Sequence, residues 1–166
     1  MVQFNDTQDD EHIDRRTVQL MERVLDEEKP DFVVLNGDNI TGGYDTPTEM
    51  KQAINNVAQP MEQRGIKWAI TFGNHDEDST PKSGLDEEDM LGIYRSYKYT
   101  MNKSGVKGIT GTGNMNLLIK NSKSADSVPD PFNFIWQLLI NPYIQFTCIQ
   151  DKCYVLYSEY KENLSI

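Results

Sequence analysis

The chain has 166 residues, 26 acidic and 16 basic side chains, and a formal net charge of −10. That length fits one domain with a core of its own. The charge argues against a nucleic-acid footprint and against anionic membrane surfaces, and it leaves divalent cations open as partners.

Taken in chain order, residues 2–5 form a short apolar stub that reads as the end of a strand, with more chain expected upstream. Residues 10–28 carry Ile13, Thr17, Leu20, Met21, Val24 and Leu25 at helical spacing, with Asp9 or Asp10 as the expected cap. Pro30 ends that helix. Residues 31–36 (DFVVLN) are a continuous apolar run between Pro30 and Gly37, the pattern of a buried parallel strand. Thr46-Pro47-Thr48-Glu49 is a capping box with proline at the first helical position. Met50, Ala53, Ile54, Val57, Ala58 and Met61 then share one face, and Gly65 is the expected stop. Residues 67–72 (KWAITF) are the next strand, ended by Gly73.

Residues 77–84 read as a polar loop and 86–97 as a helix. Residues 98–112 read as a Gly-rich loop and 116–121 as a strand. Beyond that, 132–140 suits a strand or short helix, while 143–149 and 153–157 suit strands. Residues 131–166 hold eight of the sixteen aromatics. Cys148 and Cys153 are too few for a disulfide framework and read as free thiols. No run of about 18 apolar residues is present, so no membrane span is expected. Residues 1–6 lack the basic and apolar regions of a secretory leader, and the cytoplasm is the expected compartment.

The order strand–helix–strand–helix–strand predicts an α/β fold with a parallel βαβαβ core and right-handed crossovers. Ligands of such sheets sit at the carboxyl ends of the strands. Asp6, Gly37-Asp38-Asn39 and Gly73-Asn74-His75-Asp76 all fall there. Aspartates and an asparagine at neighbouring strand ends can gather hard cations, and one carboxylate can bridge two of them. His75 is placed to donate a hydrogen bond to a phosphate or to protonate a leaving oxygen. A lone Gly-Asp is more often a turn or a cap, but the two blocks at consecutive strand ends are rare by chance. His12 reads as an exposed helix residue. The acidic residues 76–78 and 86–89 read as caps and solvated charge. Gly111-Thr112-Gly113 lacks the helix and lysine of a phosphate cradle.

With these residues the chain resembles the calcineurin-like metallophosphoesterase superfamily. Gly37-Asp38-Asn39-Ile40 matches its G-D-x-x block, Gly73-Asn74-His75-Asp76 its G-N-H-[DE] block, and Asp6 its first aspartate. Segments 29–42, 68–77 and 111–118 look most like the small metallophosphatases related to purple acid phosphatases. The likeness covers 1–121 of a single domain, with 122–166 a divergent tail. It implies the N-terminal portion of a sandwich of mixed β-sheets flanked by helices.

The resemblance also implies two divalent metal ions (Mn, Fe, Zn or Mg) and hydrolysis of phosphate mono- or diesters by activated water. Asp6 would bind one metal, Asp38 would bridge, Asn74 would bind the other, and His75 would assist phosphate binding or leaving-group departure. Gln8 stands where the family places a metal histidine and would offer an amide oxygen. Thr41 stands where purple phosphatases have a metal-bound tyrosine. The chain has only two histidines, His12 and His75, so the family's C-terminal metal histidines are absent from it. Three expectations follow: a phosphoesterase of weakened activity, an inactive binding module on the same scaffold, or a fragment that self-associates through its aromatic tail. An unrelated receiver-type switch phosphorylated at Asp38 is a fourth and remote alternative.

Overall fold

A computed structural model describes residues 1–10, 12, 15–105 and 111–119, together with the backbone of 132–136, 144–149 and 152–157. Three strands form a parallel sheet in the order β1 (Val2–Phe4), β2 (Phe32–Asn36), β3 (Lys67–Thr71). Val2 pairs with Val33, and Val33 with Trp68. The crossovers carry α1 (Arg15–Glu28) and α2 (Pro47–Arg64). After β3 come α3 (Thr80–Ser83), α4 (Glu87–Arg95) and β4 (Met115–Ile119). Strand β4 pairs antiparallel with β5 (Phe132–Trp136), and β6 (Ile144–Ile149) with β7 (Lys152–Tyr157). The α/β class and the parallel βαβαβ core are as expected from the sequence.

Alternation along each strand sends side chains to opposite faces. On one face Val33, Leu35, Trp68 and Ile70 pack with Met21 and Leu25 of α1, with Met50, Ile54, Val57 and Met61 of α2, and with Met90, Leu91 and Tyr94 of α4. On the other, Val34 and Ala69 meet Met115 and Leu117 of β4. Trp68 is fully buried and meets Tyr94 edge-on, with ring centroids 6.1 Å apart. Tyr94 in turn meets Phe72 at the end of β3, again at 6.1 Å. Helix α2 has the expected reciprocal Thr46–Glu49 cap and ends at left-handed Gly65. Helix α4 has a matching Asp86–Asp89 cap.

Three local expectations are corrected. Helix α1 begins at Arg15, and Asp9 is not its cap. Asp9 instead bridges to Ile40, because the chain after β1 continues alongside residues 37–41. The polar loop 77–84 contains α3, closed by the Gly84 N–H donating to the Thr80 carbonyl. Within the acidic runs, Asp76 and Glu87 are buried rather than solvated. Residues 11, 13 and 14 of the first helix reading, residues 106–110 of the Gly-rich loop, and most of the tail with its suggested self-association lie outside the described residues.

The outer edge of β3 is paired in an unusual way. The Asn102 side chain accepts from the Ile70 N–H (2.9 Å) and donates to the Ile70 carbonyl (3.1 Å), standing in for a strand. A buried peptide left without these partners is costly. Asn102→Ala is expected to lower stability by about 2 kcal/mol, read as a lower urea midpoint with unchanged slope; a shift within error would show that water replaces the amide.

Candidate active site

The site is built where β1, β2 and β3 end side by side. The chain leaving β1 stays paired with the chain leaving β2. Asp6 N–H donates to Gly37 O, Gln8 N–H to Asp38 O at 3.0 Å, and Thr41 N–H back to Asp9 O at 3.0 Å. Holding this register puts Asp6 (φ 49°), Gln8 (φ 42°) and Asp38 (φ 48°) in the left-handed region, which disfavours non-glycine residues. Such strain persists only where the surroundings over-determine it, and it gathers at functional sites.

The loops after β2 and β3 meet without space between them. A Cβ on Gly73 would collide with the Asp38 backbone and carboxylate, so only glycine fits there. The Asp38 carboxylate accepts from the His75 N–H at 2.8 Å. Asn74, exposed, lies between these two contacts. The Asp6 and Asp38 carboxyl groups stand side by side. Partial burial and then Asp38 itself push the Asp6 carboxyl above its ordinary range, with His75 opposing. Two neighbouring carboxylates offer oxygens that a hard cation can take.

Asp6, Asp38 and His75 are thus brought into contact, Asn74 is set beside them, and Gln8 is tied to Asp38 through its backbone. The His75 Nδ1 lies 2.7 Å from the Asp78 carboxylate. This bond, followed by the charges of Asp38, Asp78 and Asp76, raises the imidazole above its usual value, and desolvation partly opposes the rise. Among the described residues, no group of three His, Cys, Asp or Glu side chains converges on one point. His12 is exposed in a turn, and its N–H donates to Asp10.

Sequence reasoning missed Asp76. Its carboxylate accepts from Asn39 N–H (2.8 Å), Ile40 N–H (3.1 Å) and Gly73 N–H (2.7 Å), which ties the two motif loops together. Asn39 completes the tie by donating to Thr71 O at 2.7 Å. An acid three residues after a strand-end glycine can fold back on that glycine's N–H, and this is the signal the acidic run conceals. Burial pushes the Asp76 carboxyl up to about 7, against the pull of its three N–H donors. The unfolded group ionises near 3.8, so unfolding releases a proton between these values. The group's contribution to stability therefore declines as pH rises through that window and is level above it.

Asp76→Asn places an NH2 against a buried N–H donor and is expected to cost about 1–3 kcal/mol. Because the variant cannot release the proton, its deficit should shrink between about pH 4 and about pH 7 and then level off, as measured by urea melts. A deficit that grows with pH would contradict this assignment.

A model of the calcineurin-like phosphoesterase family matches residues 1–138. The chain is 33% identical over 106 residues to the protein named probable inactive purple acid phosphatase 29 of Arabidopsis thaliana, covering 64% of this chain and 27% of that protein. It is 28% identical over 112 residues to probable inactive purple acid phosphatase 14 of the same plant, again covering 64% and 27%. Phosphatase DCR2 of Saccharomyces cerevisiae is 37% identical over 70 residues, 40% of this chain and 11% of that protein. The matches thus span less than a third of these relatives. No solved structure matches the chain significantly. The family match takes in all three strand ends and the loops that join them, and the chain belongs to the calcineurin-like phosphoesterase family.

Proposed function

We propose that this chain binds phosphate esters at the ends of β1, β2 and β3 together with one divalent cation, and that it hydrolyses them slowly. The observation that carries the reading is the neighbouring Asp6 and Asp38 carboxylates at adjacent strand ends, with the His75 N–H donating to the same Asp38. Asp6, Asp38 and Asn74 would hold the cation, with the Gln8 amide as a further neutral oxygen. This oxygen-rich set fits Mn2+ or Mg2+. When bound, the ion supplies positive charge for an anionic ester and acidifies water.

The remaining work falls to the chain's own groups. Asp38 fixes the backbone at His75, and the exposed imidazole is placed to donate to a phosphate or leaving-group oxygen. The family's two-ion chemistry has donors for one ion among the described residues. A loosely held ion cannot preorganise the reacting groups, which supports slow turnover. A second reading, a scaffold that binds esters without cleaving them, is favoured by the count of two histidines in the whole chain.

The test is hydrolysis of an aryl phosphate and a bis-aryl phosphate with added Mn2+. Slow turnover is expected, falling by about tenfold or more in Asp38→Asn or after chelation. No turnover above the enzyme-free blank, from a folded chain, would favour the scaffold. Turnover indifferent to both metal and Asp38 would sink the site as drawn.

A further inference from the structure

Asp78 lies outside the groups considered so far as cation or phosphate ligands, yet it is held in place from several directions. Its N–H donates to His75 O at 3.2 Å, closing a turn that brings its carboxylate back over the imidazole. The loop after β2 braces that turn. Ser79, buried, accepts at Oγ from Gly43 N–H (2.7 Å) and Tyr44 N–H (2.9 Å). Gly42 lies so close that a Cβ built on it would stand 2.6 Å from the Asp78 Cβ. Side chains do not approach so closely, so the absence of a side chain at Gly42 is what lets Asp78 sit there.

The Asp78 carboxylate meets His75 at Nδ1, 2.7 Å away. A carboxylate is an acceptor only, so in the neutral ring it selects the tautomer with the proton on Nδ1. Nε2 then remains on the opposite edge of a half-exposed side chain. We infer that Asp78, seated by Gly42, is a positioning residue that holds the Nδ1 edge of His75, so that Nε2 is the ring nitrogen presented to a phosphate ester. The last clause rests on the phosphate-ester reading above, whereas the hold on the ring stands apart from it.

The chain has two histidines, so the imidazole nitrogens of His75 are identified in ¹⁵N–¹H spectra by comparison with His12→Gln. At alkaline pH the full chain should show His75 mainly with the proton on Nδ1. Asp78→Ala should move it to mainly Nε2–H, the form free histidine prefers. Asp78→Asn keeps a carbonyl acceptor and should restore much of the Nδ1–H form. Gly42→Ala keeps both side chains of the pair and should shift the balance the same way as Asp78→Ala, because its Cβ pushes Asp78 aside. His75 on Nε2–H in the parent, or a tautomer unchanged in a folded Asp78→Ala chain, would overturn the inference.

Inorganic phosphate with Mg2+, added at a pH where the ring carries both protons so that Nε2–H can donate while Asp78 takes Nδ1–H, then separates the two levels. Perturbation of His75 Nε2 that weakens several-fold in Asp78→Ala supports the whole statement. A tautomer that responds to Asp78 while phosphate leaves the parent's His75 untouched would overturn the phosphate clause and retain Asp78's hold on the ring.

Discussion

The geometry of the site depends on one buried carboxylate. Asp76 takes N–H groups from Asn39, Ile40 and Gly73, and so fixes the loop after β2 against the loop after β3. Those loops end on neighbouring parallel strands and have no ladder of their own. Without a shared acceptor they would leave buried N–H groups unpaired. With it, Gly73 is pressed against Asp38, and His75 N–H reaches the Asp38 carboxylate. The β1 segment is then added by its own backbone bonds to residues 37–39, which bring Asp6 to Asp38 at the cost of three left-handed backbones. The buried group thus arranges the exposed ones, although it faces no substrate itself.

The division between what the sequence made legible and what it hid has a physical basis. Strands β2 and β3 and helices α2 and α4 were readable because apolar spacing, capping boxes and terminating glycines are local signals. From the three strands came the parallel order, and from that order the convergence of Asp6, Asp38 and Asn74-His75. The role of Asp76 was hidden because an acid in the run H-D-E-D looks solvated; only the approach of a second loop buries it. Asp9 was misjudged for the same reason. Its pairing with Ile40 is non-local, and the capping rule sees only neighbours in sequence. Asn102 paired to β3 and Gly42 against Asp78 are likewise contacts between segments distant in sequence.

The family assignment and the donor set pull in different directions. The motif loops carry the family's G-D and G-N-H blocks, down to a glycine that no other residue can replace. Among the described residues no group of three His, Cys, Asp or Glu side chains forms a two-ion centre, and of the chain's two histidines one is held by Asp78. A paired carboxylate and its amide neighbours are a sound arrangement for one oxygen-loving cation and a poor one for two. The proposed slow turnover follows from that imbalance.

The most direct test of this account counts ions. Titration of the full chain with Mn2+, followed by the electron paramagnetic resonance of the free ion, should give one bound ion per chain in the parent and loss of that ion in Asp38→Asn. Two ions per chain, or one ion that survives Asp38→Asn, would contradict it.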